Sequence, residues 1–160
     1  MQYGTISNLK PEDIAARAGE LAVKYKRSGF HCSESMIRAI PEALGITIPS
    51  DVIRSACGFF GGGGGTGDRC GIIEVGIMLI SYLYGRMHPL QSEQQIRILT
   101  GQLIQRFTDE IGGLYCRDIK PVEVSKYGTA IGCEDVYRRG ASVVALLLLN
   151  ADEILTNSGH

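Results

Sequence analysis

The chain has no excess of charge of either sign and no long hydrophobic run. Its 16 lysine and arginine residues nearly balance 17 aspartate and glutamate residues, which leaves a formal net charge of −1. A chain this close to neutral has no electrostatic footprint for DNA, RNA or an anionic membrane. The longest apolar segments, 72–83 and 143–149, are shorter than the roughly 20 residues that cross a bilayer. We therefore expect neither nucleic acid nor a membrane as a partner.

The five cysteines lack the two spacings that would assign them at once. There is no C-x-x-C pair of the kind found in zinc ribbons and bacterial ferredoxins, and no C-x-x-C-H for covalent haem attachment. The first twenty residues also lack the basic region, apolar region and cleavage site of a secretory signal. A cytoplasmic location is therefore expected, where cysteines serve as ligands or redox groups more often than as disulfides.

Apolar residues recur at helical spacing along most of the 160 residues, which is long enough to bury a core without metal or disulfides. The fold class predicted is all-α, a single-domain bundle of about five to six helices over residues 1–160. Segment 70–84 is apolar nearly all round and is expected to be the buried central helix. Residues 112–129 are predicted to form a loop. The predicted helices are 11–29, 32–39, 51–56, 70–84, 92–111 and 133–154.

Four residues are expected to set the ends of these helices. Pro41 should end or kink the second helix, because proline removes a backbone donor. Ser50 is a candidate N-cap for the third helix. Ser92 and Gln95 are expected to form a capping box for the fifth.

A glycine-rich stretch, FFGGGGGTGDRCG at 59–71, runs directly into the predicted central helix. Gly62, Gly64 and Gly67 match G-x-G-x-x-G, but that motif indicates dinucleotide binding only after a strand, and a helix is predicted here. The lysine and hydroxyl residue of a phosphate-binding loop are also missing. Two interpretations stay open: close packing of helices, or a site in which backbone N–H groups approach a large ligand.

Cys32, Cys70 and Cys133 fall in the first turn of predicted helices. Free N–H groups and the positive end of the helix dipole favour an anion there, so these cysteines are expected to ionise easily. Thiolates that converge from distant parts of the chain suit either an iron-sulfur cluster or zinc. Zinc is the less favoured of the two, because structural zinc sites usually carry a C-x-x-C knuckle.

Three other residues have two interpretations each. Cys57 is expected to be a small buried hydrophobe, with a fifth ligand or resolving thiol as the alternative. His31 is expected to be a surface or capping residue, with metal ligation as the alternative. Glu74 is expected to pair with Arg69 or Arg54, because an unpaired carboxylate in an apolar helix is costly; a proton-handling role is the alternative.

Four segments resemble a known family: HCSES at Cys32, CGIIEVG at Cys70, YCRDI at Cys116 and GCEDVYRRGA at Cys133. They resemble the redox-active family named C_GCAxxG_C_C after its cysteines, over roughly residues 20–145. Ile72 stands where the family core C-G-A-x-x-G has alanine, and the second glycine is one place late. The resemblance implies an all-helical protein similar to the non-haem part of split-Soret cytochromes, with an iron-sulfur cluster and no covalent haem.

The leading hypothesis is an electron-transfer or redox-sensing protein whose four family cysteines bind an iron-sulfur cluster under the glycine loop. It would act with a redox partner protein or oxidoreductase, and the apolar content of the chain leaves room for a homodimer. One alternative is cluster-free thiol–disulfide chemistry with Cys70 as the reactive thiolate and Cys32 or Cys133 as the resolving thiol. The other is a non-redox binding module that presents the loop to an anion or a partner oxidoreductase. The glycines expected to contact the cofactor are Gly63, Gly64, Gly65, Gly67 and Gly71.

Overall fold

Helices make up the regular structure of residues 9–158, which are the residues that the computed structural model describes. These residues contain no strand, only an isolated bridge between Arg69 and Tyr115. Over the same residues, no helix is long and apolar enough to cross a membrane. The predicted all-α class is confirmed. The elements are α1 Pro11–Arg27, α2 Cys32–Leu44, α3 Ser50–Ser55, a 3-10 turn Cys57–Phe59, α4 Gly71–Tyr84, α5 Gln94–Ile111, α6 Cys116–Ile131, α7 Glu134–Leu149 and α8 Ala151–Asn157.

The described residues form two more α-helices than the upper prediction of six. The first addition is α6, which occupies most of the predicted loop 112–129. It contains Pro121, and Gly128 leaves the helical region within it, with φ of 79° and ψ of 166°. The second addition arises because the predicted helix 133–154 is divided at Asn150, which has φ of −98° and ψ of 9°.

Three predicted helix ends are wrong. Pro41 does not end helix α2, which continues to Leu44 because the buried apolar residues on either side of the proline keep the turn packed. Gly45 is the C-cap, and its φ of 66° stops the helix. Pro49, and not Ser50, is the N-cap of α3. Helix α5 has Glu93 as its N-cap and no capping box, although the Ser92 hydroxyl accepts a hydrogen bond from the Gln94 N–H at 3.2 Å.

Helix α7 contacts more helices than any other described element: α1, α2, α4, α5, α6 and α8. Its contact with α1 is close because small residues face each other there. A Cβ atom added to Gly19 would lie 2.7 Å from the carbonyl oxygen of Arg138. The Ser142 hydroxyl donates a hydrogen bond to the carbonyl of Ala15 at 2.8 Å, which fixes the register of the two helices.

Helix α4 is buried along the face that contacts α2, α5 and α7. A Cβ on Gly76 would lie 2.7 Å from a methyl group of Leu103, so the glycine permits the close approach of α5. The helix is not enclosed on every side, because Tyr82 near its end is 43% exposed. The α4 sequence is therefore correctly predicted as a core helix, but α7 has the more central position.

One carboxylate joins α1 to the start of α7. Both oxygens of Glu134 accept hydrogen bonds from Arg27, at 3.1 and 2.9 Å, and one of them also accepts from Lys26 at 3.3 Å. The hydrogen bonds from Arg27 are the main cause that lowers the pKa of Glu134 from 4.5 to about 2. The stabilisation from this pair is therefore present above pH 4.5 and is lost as the pH falls through about 2.

We expect Glu134→Gln to lower the free energy of unfolding at pH 7 by about 1 kcal/mol, a small value because Arg27 is largely exposed to solvent. Denaturant unfolding of both proteins between pH 7 and pH 2 would show the difference shrinking at the acidic end. The control is Glu20→Gln, which removes an exposed carboxylate that also joins α1 to α7 through Arg138. A difference that is independent of pH would contradict the assignment.

Candidate redox site

The four family cysteines lie at the starts of four different helices. Cys32 is the first residue of α2 and Cys116 the first residue of α6. Cys70 is the N-cap of α4, and Cys133 is the N-cap of α7. Because these helices begin at one end of the bundle, residues that are far apart in the sequence reach one region of the fold.

The glycine stretch is a compact loop with left-handed backbone at Gly61–Gly65 and at Gly67. The loop is held by hydrogen bonds within its own backbone. The N–H groups of residues 63 to 68 donate to the carbonyl groups of residues 58 to 63. Gly62 is the tightest position, since a Cβ there would lie 2.3 Å from the carbonyl oxygen of Asp68. The loop is therefore folded back on itself and is not a flexible connector.

The end of this loop pairs with the segment before α6. The Cys70 N–H donates to the carbonyl of Leu114 at 2.8 Å, and the Cys116 N–H donates to the carbonyl of Asp68 at 2.8 Å. The N–H of Arg117 donates to Gly67 at 3.0 Å. These antiparallel hydrogen bonds hold the starts of α4 and α6 side by side, and with them two of the cysteines.

One cavity of about 350 Å³ is lined by all four of these cysteines. The sequence prediction that Cys32, Cys70, Cys116 and Cys133 lie together is consistent with this arrangement, although their role in binding a cofactor stays a prediction. All four are free thiols in this structure. The remaining lining residues are Lys26, His31, Phe60, Gly61, Gly65, Ile72, Ile119, Lys120, Gly132, Val136 and Tyr137.

Burial dominates the ionisation of these thiols and raises all four pKa values. The pKa of Cys133 rises to about 11, and that of Cys70 rises further because this side chain is the most deeply buried. A backbone hydrogen bond from Gly61 opposes the rise at Cys32, and the Lys120 ammonium opposes it at Cys116. The expectation that helix starts would make these cysteines ionise easily is wrong, because desolvation outweighs the helix dipole.

The described residues contain no group of three or more His, Cys, Asp or Glu side chains arranged to hold a single metal ion. A tetrahedral zinc site needs its sulfurs within about 2.3 Å of one ion. The four thiols line one cavity, but among the described residues they do not form such a group. This arrangement disfavours a mononuclear site.

The glycines predicted at the cofactor have different positions. Gly65 lines the cavity, and Gly71 is close to it, since a Cβ on Gly71 would lie 2.9 Å from the Cys32 sulfur. Gly63 lines a separate depression, which also includes Thr66 and Tyr115. Gly64 and Gly67 are not among the residues that line the cavity. Their contact with a cofactor stays a prediction.

The three residues with two interpretations are now placed. Cys57 is exposed and lies outside the cavity, so the buried-hydrophobe interpretation is wrong. His31 is the N-cap of α2 with a complete capping box, and its ring stacks on Phe60 with centroids 4.6 Å apart. Glu74 accepts a hydrogen bond from Arg69, which confirms the expected ion pair.

The sequence prediction did not assign Lys120 or Tyr137 to the site, although both line the cavity. Lys120 follows Cys116 by four residues, and Tyr137 follows Cys133 by four residues, so each lies one helical turn from its cysteine. Burial, together with the four neighbouring cysteines, raises the pKa of Tyr137, which keeps its phenol neutral. The spacing of four residues from a cysteine could have assigned both side chains to the site. For Lys120, that inference would first have required the prediction of α6 as a helix.

Together, the fold and the site define an all-helical protein with four helix-start cysteines around one cavity. Residues 30–147 match the family model described as "Putative redox-active protein (C_GCAxxG_C_C)", and the chain belongs to that family. It is also similar to a protein of Archaeoglobus fulgidus that bears the name "Uncharacterized protein", with 25% identity over 115 residues, 67% of this chain and 76% of the relative. No solved structure matches the chain.

Proposed function

We propose that the chain binds an iron-sulfur cluster in the four-cysteine cavity and serves in electron transfer or redox sensing. The observation that carries the proposal is that all four family cysteines line one cavity, while the exposed Cys57 does not. Four cysteine thiolates are the ligand set of the common clusters. The cluster would accept or donate one electron with little change in the structure.

The absence of a single-ion group among the described residues supports a cluster over a single ion. A single ion needs its ligands at one point, and the described residues offer no such group. A cluster contributes its own bridging sulfides and therefore reaches thiolates that surround a space. The donors would be Cys32, Cys70, Cys116 and Cys133.

The raised pKa values of the thiols are compatible with metal binding. A buried thiol stays protonated because its thiolate would be unpaired in an apolar environment. Metal displaces the proton and supplies the missing positive charge, so cluster binding would release protons. The Gly61 N–H, which already contacts the Cys32 thiol, would stabilise negative charge on that sulfur.

Two other functions have weaker support. Cys70 is the most buried of the four thiols and has its pKa raised far above the ordinary range, which is unfavourable for a thiolate that attacks a disulfide. An anion site on the glycine loop would need free N–H groups, but those of residues 63 to 68 donate to the loop's own carbonyls.

The test is anaerobic reconstitution with ferrous iron and sulfide. We expect about two or about four iron atoms per chain, with visible charge-transfer absorption and an electron paramagnetic resonance signal on reduction. Serine at any of the four cavity cysteines should remove most of the iron, whereas Cys57→Ser should keep it. The proposal would be overturned if the reconstituted wild-type protein contained no sulfide. It would also be overturned if the wild-type protein bound a single zinc ion through all four cysteines.

A further inference from the structure

The cavity has an uneven distribution of charge around its mouth. Lys26 and Lys120 belong to its lining, and no aspartate or glutamate does among the described residues. The whole chain has a net charge of −1, so this positive region is local and is not a consequence of a basic composition. A cleft lined by one sign of charge with apolar walls concentrates its field and attracts ligands of the opposite sign.

The positive charge at the mouth is only partly neutralised. One carboxylate, Glu134, is shared by Lys26 and Arg27, and Glu20 also interacts with Arg27. Lys120 is exposed and has no ion pair among the described residues. The other acidic neighbour is Glu123, which raises the pKa of Cys133 and lies 3.8 Å from Lys126. The Lys120 ammonium is therefore available to a ligand.

The wall behind this mouth is suited to a small organic group. Phe60, Ile72, Ile119 and Val136 supply apolar surface between the thiols. Small-molecule sites typically combine such a wall with a few polar groups that fix orientation. An anionic head group would contact the lysines, and a short apolar portion would face the cavity.

We propose that the mouth of the four-cysteine cavity is a binding and entry site for small organic anions, held by Lys120 and Lys26. The ligand class is a carboxylate, sulfonate or phosphate with a short apolar chain. This inference goes beyond the proposed function and does not rest on it, because it concerns access to the thiols in the chain without a bound cluster.

The test compares two thiol reagents of the same reactive group and opposite charge. Sulfonatoethyl methanethiosulfonate is an anion, and the trimethylammonioethyl reagent is a cation. In both cases a thiolate attacks the sulfenyl sulfur, forms a mixed disulfide and releases methanesulfinate, so no other oxidant is needed. The protein is the full, reduced chain with Cys57→Ser, which removes the exposed thiol. For the protein, the rate constant with the anionic reagent is divided by the rate constant with the cationic reagent. This ratio is then divided by the same ratio measured for mercaptoethanol, which corrects for the different intrinsic reactivities of the two reagents.

We expect a normalised ratio of about ten at low salt, decreasing as salt screens the lysines. Lys120→Glu should bring the ratio to one or below, while Lys24→Gln, on the same helix as Lys26 but outside the cavity lining, should leave it unchanged. The ratio is insensitive to any change in thiol pKa, because both reagents attack the same thiolate.

A second measurement detects binding without modification. Ethanesulfonate should slow the reaction of the cavity thiols with neutral iodoacetamide, and tetramethylammonium should not. A normalised ratio near one in the parent protein, or an equal effect of Lys24→Gln and Lys120→Glu, would overturn the inference. Iron content after reconstitution is measured separately, so failure of the cluster proposal and failure of the anion site give different results.

Discussion

Gly62→Ala is expected to destabilise the protein by more than about 3 kcal/mol, and it is one of the two largest effects that the structure predicts. The added Cβ would lie 2.3 Å from the carbonyl oxygen of Asp68 and 2.4 Å from its nitrogen. Both atoms belong to the backbone, so no side-chain rotation can relieve the contact. The φ of +75° adds the cost of left-handed backbone for a residue with a side chain.

The consequence should reach the cysteine site, because Asp68 is the residue whose carbonyl accepts the hydrogen bond from the Cys116 N–H. A shift of Asp68 moves the start of α6 relative to α4. We therefore expect Gly62→Ala to change the reactivity of the cavity thiols as well as the stability. Thermal unfolding and timed alkylation with mass spectrometry measure the two effects.

The matched control is Gly64→Ala, two residues later in the same loop. Gly64 also has positive φ, at 61°, but a Cβ there would meet nothing within 4 Å. Gly64→Ala should therefore lower the free energy of unfolding only by the cost of placing alanine in left-handed backbone, about 1 to 2 kcal/mol. Equal losses for the two variants would show that the contact with Asp68 is not the source of the effect.

The sequence was most informative where apolar residues follow a regular period. The stripe in α5 placed Leu99, Leu103 and Phe107 on one face, and all three are fully buried. The same method missed α6, because this helix contains Pro121, several β-branched residues and a non-helical glycine. Its start is fixed by hydrogen bonds to the glycine loop, and a contact across 48 positions leaves no periodic signal in the sequence.

The sequence predicted the four thiols and part of the glycine loop at the site, but not its lysines. Family resemblance selected four of five cysteines, and those four line one cavity. Their ionisation was predicted in the wrong direction, since a helix start is visible in a sequence but the depth of burial is not. The lysines at the mouth were missed for a related reason: Lys26 and Lys120 come from different helices, and only the folded chain brings them together.

Gly71→Ala is the second large expected effect, and it acts on the cysteine site directly. Alanine normally stabilises a helix relative to glycine by about 0.5 to 1 kcal/mol. Here we expect the reverse, a loss of about 2 kcal/mol, because the space is already filled. The new Cβ would lie 2.5 Å from the Phe59 carbonyl oxygen and 2.9 Å from the sulfur of Cys32.

The two contacts would relax differently, and this difference makes the prediction specific. The Phe59 carbonyl belongs to the backbone and can move only with the 3-10 turn, whereas the Cys32 side chain can rotate away. Rotation would take one thiol from the four-cysteine arrangement. We therefore expect iron retention after reconstitution to decrease by roughly tenfold, a loss larger than the change in stability alone would cause.

Gly101→Ala is the control, since Gly101 lies within α5 and a Cβ there meets nothing within 4 Å. It should raise the free energy of unfolding by about 0.5 to 1 kcal/mol and leave iron content unchanged. Denaturant unfolding of the metal-free proteins measures the first quantity, and iron per chain measures the second. If Gly71→Ala were as stable as Gly101→Ala, the close approach of α4 to Cys32 would be refuted. If Gly71→Ala lost stability but kept its iron, the expected displacement of the Cys32 thiol from the site would be refuted.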